Sequence, residues 1–388
     1  MHVAVDIRLL TTGKTTGVEE YTRALIDALL RRADGHHYTL VYNGLVRAPL
    51  PARWLNHPKA RVVTARIPNK FLDAALWLTY EPHLGRFCME PPDLVYSPHL
   101  NIVAPPPGVP RVMTIHDLSF RHYPEFVLLR RRLWNWFQAY EARARSADAV
   151  VAVSEFTRRD VIETLGVASE RVHAIYPGRN SVYRPYAPHD PELAVFRTAH
   201  PEFAAPFILT VGTVEPRKNH RAAIRAFAAL KRNPAYRALK LVIAGQWGWK
   251  YGTIRKEAAV THCAADILWW RTATERELRT LYTLARVMVY PSWFEGFGFP
   301  PLEAMACGTP VVTSNRSSLP EVVGEAALTV SPWDPAELAA AIAAVFPDGP
   351  LRDRFIAAGF RNIDRFDWDR TADQLVSLFE SLVVERKV

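Results

Sequence analysis

Two glutamates, Glu295 and Glu303, stand eight residues apart in a stretch that runs from Tyr290 to Pro310. An apolar run, Val287–Tyr290, leads into a turn holding Gly296 and Gly298, which allow a ligand to approach the backbone closely. Pro301 suits the first turn of a helix, and Gly308 sits where that helix would stop. The helix start offers backbone N–H groups and the positive end of a dipole, a fit for a phosphate. One carboxylate on the turn can face a cleft, while the one within the helix can accept hydrogen bonds from vicinal hydroxyls. Pairs of glutamates at this spacing are common by chance; the two glycines, the two prolines and the closing Gly308 make the stretch informative.

A second stretch, Val211 to His220, contains Gly212, Thr213, Glu215, Pro216, Arg217, Lys218 and Asn219. It reads as a strand, a glycine turn and two cations at a helix start. Cations there oppose the dipole, so a bound anion is expected, and the pattern suits a diphosphate. The Gly13–Gly17 loop follows the first strand but matches neither the G-x-G-x-x-G nor the G-x-x-x-x-G-K-[ST] pattern. His116 and Asp117 close another strand, a position from which side chains can touch substrate.

These residues need a frame to hold them. Short β-branched runs alternate with amphipathic stretches, which argues for parallel sheets with crossover helices. In the first half the pattern predicts strands at His2–Ile7, Tyr38–Tyr42, Arg61–Ala65, Asp93–Tyr96, Val112–Ile115, Ala149–Val153 and Val172–Ile175. In the second half they fall at Phe207–Val211, Leu241–Ala244, Val287–Tyr290, Pro310–Thr313 and Leu328–Val330. Between Pro177 and Pro206 the alternation lapses into a proline-rich linker with at most one short helix. Domains are expected over 1–185 and 206–365, with a helix at 366–388 that packs back on the first. The 388 residues, 49% hydrophobic and 22% charged, fit such an enzyme. No run approaches the ~18 apolar residues of a membrane span, and the start lacks the marks of a signal peptide, so a cytoplasmic location is expected. Cys88, Cys263 and Cys307 show no metal-type spacing and read as free thiols.

Together the motifs resemble the retaining glycosyltransferases of family 4, and the likeness runs in order along nearly the whole chain. Glu295 and Glu303 match that family's E-x7-E motif around a Gly-Phe-Gly core. The resemblance implies an α/β GT-B fold, two Rossmann-like domains with parallel sheets facing across a cleft, and no cofactor beyond the nucleotide-sugar substrate. It implies that Lys218 binds the donor diphosphate, Glu303 the ribose hydroxyls, and Glu295 the donor sugar beside the Phe297–Gly298 backbone. It places His116 near the reacting carbon, Gly17 by the diphosphate or the acceptor, and the base against backbone groups around Arg271–Thr274. Many members carry Arg where this chain has Thr213; Arg217 is the candidate to supply the missing charge. Glu215 to Asn219 looks like the mannosyltransferase branch that builds bacterial polysaccharides, which implies GDP-mannose and a glycan or lipid-linked acceptor.

Other readings stay open. A UDP- or dTDP-sugar donor fits the same frame, as does a sugar-nucleotide epimerase or a phosphorylase of similar shape. The net charge of +9 suits an anionic partner. No helix-turn-helix, zinc or RNA-sheet signature supports nucleic acid. Arg130, Arg131 and Arg132 precede Trp134, Trp136 and Phe137 within a helix expected at Leu128–Arg145. Peripheral contact with an anionic membrane and an ordinary helix with buried aromatics both fit them.

Overall fold

The computed structural model describes residues 1–12, 16–44, 50–130, 132, 138–187 and 189–386, without the side chains of residues 11, 12, 69 and 70. The chain folds into two compact units. The first comprises Met1–Leu118, Leu129–Gly178 and Phe366–Val388; the second comprises Ser119–Leu128 and Arg179–Arg365.

The first unit is built on seven parallel strands: β1 (His2–Asp6), β2 (His37–Asn43), β3 (Ala60–Ala65), β4 (Leu94–Ser97), β5 (Arg111–Ile115), β6 (Ala149–Ala152) and β7 (Val172–Ala174), in the order β3-β2-β1-β4-β5-β6-β7. Val5 pairs with Leu40 on one side and Tyr96 on the other, and the central strands are buried on both faces, as continuous apolar runs require. The helix Gly17–Arg31 follows β1, and Trp368–Glu385 packs against it. Arg31 and His36 reach Asp369 and Glu380 on that last helix, and Thr371 donates to the Tyr176 carbonyl at 2.7 Å.

The second unit carries β8 (Phe207–Val211), β9 (Lys240–Ala244), β10 (Ile267–Trp270), β11 (Val287–Tyr290), β12 (Val311–Ser314) and β13 (Ala327–Val330), all parallel, in the order β10-β9-β8-β11-β12-β13. The helices His220–Leu230 and Pro335–Val345 pack together over a core that includes Ile208, Phe227, Val289 and Ile342. The proline-rich stretch is not a bare connector. It holds the helix Pro191–Ala199, and Phe196 and Phe203 pack against Trp270 with ring centroids 6.0 and 5.5 Å away, one tilted and one edge-on. Each sheet reverses its strand order once, at β1/β4 and at β8/β11. Such a step leaves a crevice beyond the carboxyl ends of the two strands, where ligands of these folds bind.

The strand ends lie within about a residue of the sequence-based ranges, but β10 was not foreseen. It is a four-residue edge strand, Ile267 to Trp270, with a single β-branched residue. Of the helix expected at Leu128–Arg145, the structure shows Tyr140–Ser146 and helical backbone at Leu129, Arg130 and Arg132. Arg131, Trp134, Trp136 and Phe137 lie outside the described residues, as do residues 13–15 of the early glycine loop.

Candidate active site

The second sheet's reversal point is bridged by side chains. β8 ends at Val211, just before Gly212, and the turn Pro216–Lys218 delivers Arg217 and Lys218. β11 ends at Tyr290, and the following loop delivers Glu295. Lys218 Nζ donates to the Tyr290 hydroxyl at 2.6 Å and to Glu295 Oε1 at 2.7 Å. Arg217 Nη1 donates to Glu295 Oε2 at 2.7 Å and to the Phe294 carbonyl at 2.9 Å, and Arg217 Nε donates to Glu215 Oε1 at 3.1 Å. The Arg217 carbonyl accepts from the Trp293 N–H at 2.9 Å, so both loops are laced together by backbone as well.

The sequence posed a charge mismatch, two cations at a helix start, and the chain itself supplies the anions. Glu295, 6% exposed, and Glu215, 2% exposed, neutralise Arg217 and Lys218. Burial alone would push the Glu295 carboxyl up, but Arg217 and Lys218 outweigh it and hold it at about 2. Burial pushes the Glu215 carboxyl above its ordinary range against the pull of the same cations. Burial, with Arg217 beside it, draws the Lys218 ammonium below its ordinary value while Glu295 opposes that shift. An ammonium has three protons to give. Two go to Tyr290 and Glu295, and among the described residues no partner takes the third.

Asn219 turns the chain from this loop into the helix His220–Leu230. Its φ is +52°, a conformation that asparagine tolerates better than most residues. Its buried Nδ2 donates to the carbonyls of Pro291 and Pro332 at 3.1 and 2.9 Å. Burial holds His220 at about 4, so the imidazole at this helix start is neutral and adds no cation beside Lys218.

The Glu295 loop is pinned from the far side. Ser317 Oγ accepts from the Glu295 N–H at 2.9 Å, and Ser318 Oγ serves the carbonyls of Glu295 and Phe297 at 2.9 and 2.8 Å. Gly298 caps the helix Phe299–Ala306 with φ +112°, and a Cβ there would lie 2.7 Å from Leu319 Cδ2. Pro300 and Pro301 both sit in the first turn, so two of the N–H groups expected to face a phosphate do not exist. The anion-binding capacity of this helix therefore rests on the Gly298 and Phe299 amides and on the dipole. Glu303 lies one turn in, 8% exposed, and its Oε2 accepts from the Tyr282 hydroxyl at 2.7 Å. Thr213 is exposed, and its carbonyl pairs with His220 Nε2 at 3.3 Å. Around the expected base site, the Thr274 N–H is taken by Glu277 Oε2 at 2.8 Å, and the Arg271 guanidinium lies over Trp247 at 5.6 Å.

In the first unit, His116 follows β5 and bonds through Nε2 to the Pro98 carbonyl beyond β4, at 2.9 Å. A carbonyl only accepts, so Nε2 carries the proton and Nδ1 is left as an acceptor. Burial lowers this imidazole to about 4, so it is neutral near pH 7. Tyr21, from the helix that Gly17 begins, packs edge-on against His116 at 4.7 Å. Gly17 itself is exposed. Thr16 caps that helix, with Glu19 bonded back to the Thr16 N–H at 2.9 Å, so a carboxylate already occupies the helix start.

The structure thus brings Arg217, Lys218 and Glu295 into direct contact and places Phe297 and Gly298 on the same pinned loop. Glu303 and Thr213 stand in separate bonds, and His116 and Gly17 belong to the other unit. Sequence reasoning missed Tyr290, Tyr282, Ser317 and Ser318, which hold the site residues in place. It also missed the buried Asp6–Arg8 pair, in which Arg8 Nη2 meets Asp6 Oδ2 at 2.6 Å beyond β1. Burial would raise the Asp6 carboxyl; Arg8 and His99 hold it well below the usual range instead. Two charges within the apolar start were the available signal.

Comparison with known proteins gives this geometry its family. A model described as "Glycosyl transferases group 1" matches residues 197–362, and one described as "Glycosyltransferase Family 4" matches residues 15–181. The "O-antigen chain mannosyltransferase B" of Escherichia coli is 32% identical over 273 residues, which cover 70% of this chain and 70% of that protein. The chain belongs to glycosyltransferase family 4. The "Serotype-specific mannosyltransferase WbdA" of Escherichia coli is 26% identical over 99% of this glycosyltransferase, which spans only 48% of WbdA. Among solved structures, HepE of Anabaena in complex with UDP-glucose has a TM-score of 0.73 at 18% identity, covering 98% of this chain and all of that one. The sucrose-phosphate synthase of Thermosynechococcus elongatus has a TM-score of 0.75 at 20% identity, over 99% of both chains. The two Rossmann-like units form a GT-B fold. Among the described residues, no helix of this glycosyltransferase is long and apolar enough to cross a membrane.

Proposed function

We propose that this glycosyltransferase moves mannose from GDP-mannose to a hydroxyl of a glycan or lipid-linked acceptor, with retention of configuration, during synthesis of a bacterial O-antigen. The Lys218–Tyr290–Glu295–Arg217 cluster at the reversal point of the second sheet carries the catalytic part of this reading. The identity to the O-antigen chain mannosyltransferase supports the sugar and the product.

Departure of the nucleoside diphosphate develops negative charge on phosphate oxygens. Lys218, through its third proton, and the helix start at Phe299 stabilise that charge, and Arg217 adds to the field. With these groups in place the reaction needs no metal, and transfer undiminished by EDTA is the expected outcome. Glu295 lines the donor sugar and orients the two cations. Both of its oxygens are engaged and its carboxyl sits at about 2, which makes it a weak nucleophile. Retention then proceeds by departure and attack on one face, the leaving phosphate taking the acceptor proton. An isolated covalent sugar adduct on Glu295 would overturn this route. Glu303 takes the ribose hydroxyls, and His116 Nδ1 accepts from a sugar hydroxyl. A lipid-linked acceptor would bring the protein to the inner face of an anionic membrane, which vesicle co-sedimentation tests.

Thermal unfolding with GDP, UDP, dTDP and ATP, each alone, tests the donor. A ligand at about 100 times its Kd adds about 2.7 kcal/mol. Stabilisation by GDP, followed by transfer of mannose from GDP-mannose with the α-anomer retained by NMR, is the expected result. A shift with UDP or dTDP only would replace the donor, and sugar isomerisation without acceptor would replace the reaction.

A further inference from the structure

Beside the Pro216–Asn219 turn, the second unit has an open pocket of about 330 Å³, lined in part by Pro216 and Asn219. That is the small end of the range for ligand sites, about 300–1,000 Å³. Much of its wall comes from the segments beyond β8, β11 and β13, with Thr253 and Ile254 from the segment beyond β9, so it lies at the carboxyl rim of the sheet, where such folds place ligands. Two indoles dominate it. Trp333, 57% exposed, meets Trp293 edge-on at 4.8 Å, and Phe126 and Pro332 add apolar wall. The Arg316 guanidinium lies over the Trp333 ring at 5.1 Å, and much of the indole is still open to solvent. Arg221 and Arg225 stand at the rim and share one carboxylate: Arg221 Nη2 lies 2.8 Å from Glu257 Oε2, and Arg225 Nε lies 2.6 Å from Glu257 Oε1.

We propose that this pocket is a second carbohydrate-binding site, which holds a sugar unit of the growing glycan away from the reacting end. Indole faces match the C–H faces of a pyranose ring. The guanidinium groups of Arg221 and Arg225, held in place by Glu257, offer donors to sugar hydroxyls. Glu257 neutralises one of the two guanidinium charges, and the indoles and prolines that make up much of the remaining lining suit the apolar face of a sugar. The pocket is also wired to the reaction site. The Trp293 backbone N–H donates to the Arg217 carbonyl, and the Asn219 side chain donates to the Pro332 carbonyl. A chain gripped here stays with the enzyme between transfers. The proposal rests on the glycan-acceptor reading above.

The test is calorimetric titration of the full chain with α-mannotetraose, repeated on Trp333→Ala and Arg225→Ala. Both positions are solvent-exposed, and an unchanged melting shift with GDP shows that each variant is folded and binds nucleotide. The expected result is about tenfold weaker binding by Trp333→Ala, equivalent to about 1.4 kcal/mol. KM for a long acceptor should rise by a similar factor, with KM for methyl α-mannoside unchanged. No binding by the wild-type chain, or equal binding by Trp333→Ala, overturns the pocket and leaves the transfer reaction standing. Binding that Trp333→Ala abolishes, in a chain that transfers sugar to no glycan, keeps the pocket and removes the acceptor reading.

Discussion

Replacing Glu295 by glutamine keeps its shape and removes its charge, and three consequences follow from the geometry. The carboxyl is held at about 2 against an ordinary 4.5. That difference is about 3 kcal/mol of interaction, at about 1.4 kcal/mol per pH unit. The folded value lies below the unfolded one, so the stabilisation is fully present above about pH 5. It fades as the pH falls through 4.5 towards 2. Urea unfolding at pH 7 should therefore show Glu295→Gln less stable by about 3 kcal/mol, a midpoint about 1 M lower. The gap should stay flat from pH 6 to 8 and narrow between pH 5 and 3. The third consequence concerns ligands: two carboxylates and two cations balance in the cluster, and the variant leaves one positive charge in excess. GDP should then bind about tenfold more tightly, worth about 1.4 kcal/mol, while sugar transfer collapses. A stability gap under about 0.5 kcal/mol at pH 7, or one that persists on acidification, would refute the account of Glu295 as an ionised clamp.

Three more outcomes are expected. Asn219→Ala loses two buried hydrogen bonds at a positive φ and should cost about 2–4 kcal/mol in urea melts; Asn219→Gly should recover about 1 kcal/mol of that. Gly298→Ala meets both a φ of +112° and Leu319 at 2.7 Å, so it should destabilise by about 2 kcal/mol or more and weaken GDP binding in a thermal-shift assay. His116 is neutral down to about pH 4 in the folded protein, so the stability tied to that neutral form is lost as the pH falls from about 6.5. The rate of transfer should show no limb from His116 between pH 8 and 5. A limb near 6.5 that His116→Gln removes would contradict this.

The sheets were legible because their central strands are buried on both faces and read as unbroken β-branched runs. β10 escaped because an edge strand of four residues, Ile267 to Trp270, carries almost none of that signal. The chemistry-bearing residues could be picked out by type and spacing, but their partners could not. That Arg217 and Lys218 spend their charge on Glu295 depends on β8 and β11 being neighbours, a long-range pairing that no local pattern states. The same holds for Tyr282 and Glu303, brought together by packing of one helix on another. The double proline at 300 and 301 was visible in the sequence, yet it was read as a helix signal rather than as the loss of two amide donors.

The helix Trp368–Glu385 completes the first unit, although the whole second unit separates it in sequence from the strands it covers. Its start is built into that unit: a Cβ on Gly178 would collide with the Trp368 backbone at 2.3 Å, and Arg386 reaches Asp148 at 2.5 Å. During synthesis the ribosome releases the first seven strands early but withholds the piece that closes over them. The second unit, contiguous from Arg179 to Arg365 apart from the short Ser119–Leu128 strap, has every one of its strands available sooner. The unit made first is therefore the unit finished last, and in the interval the apolar faces of Tyr21 and Tyr96 that later meet Trp368 and Phe379 stand open to solvent and to chaperones.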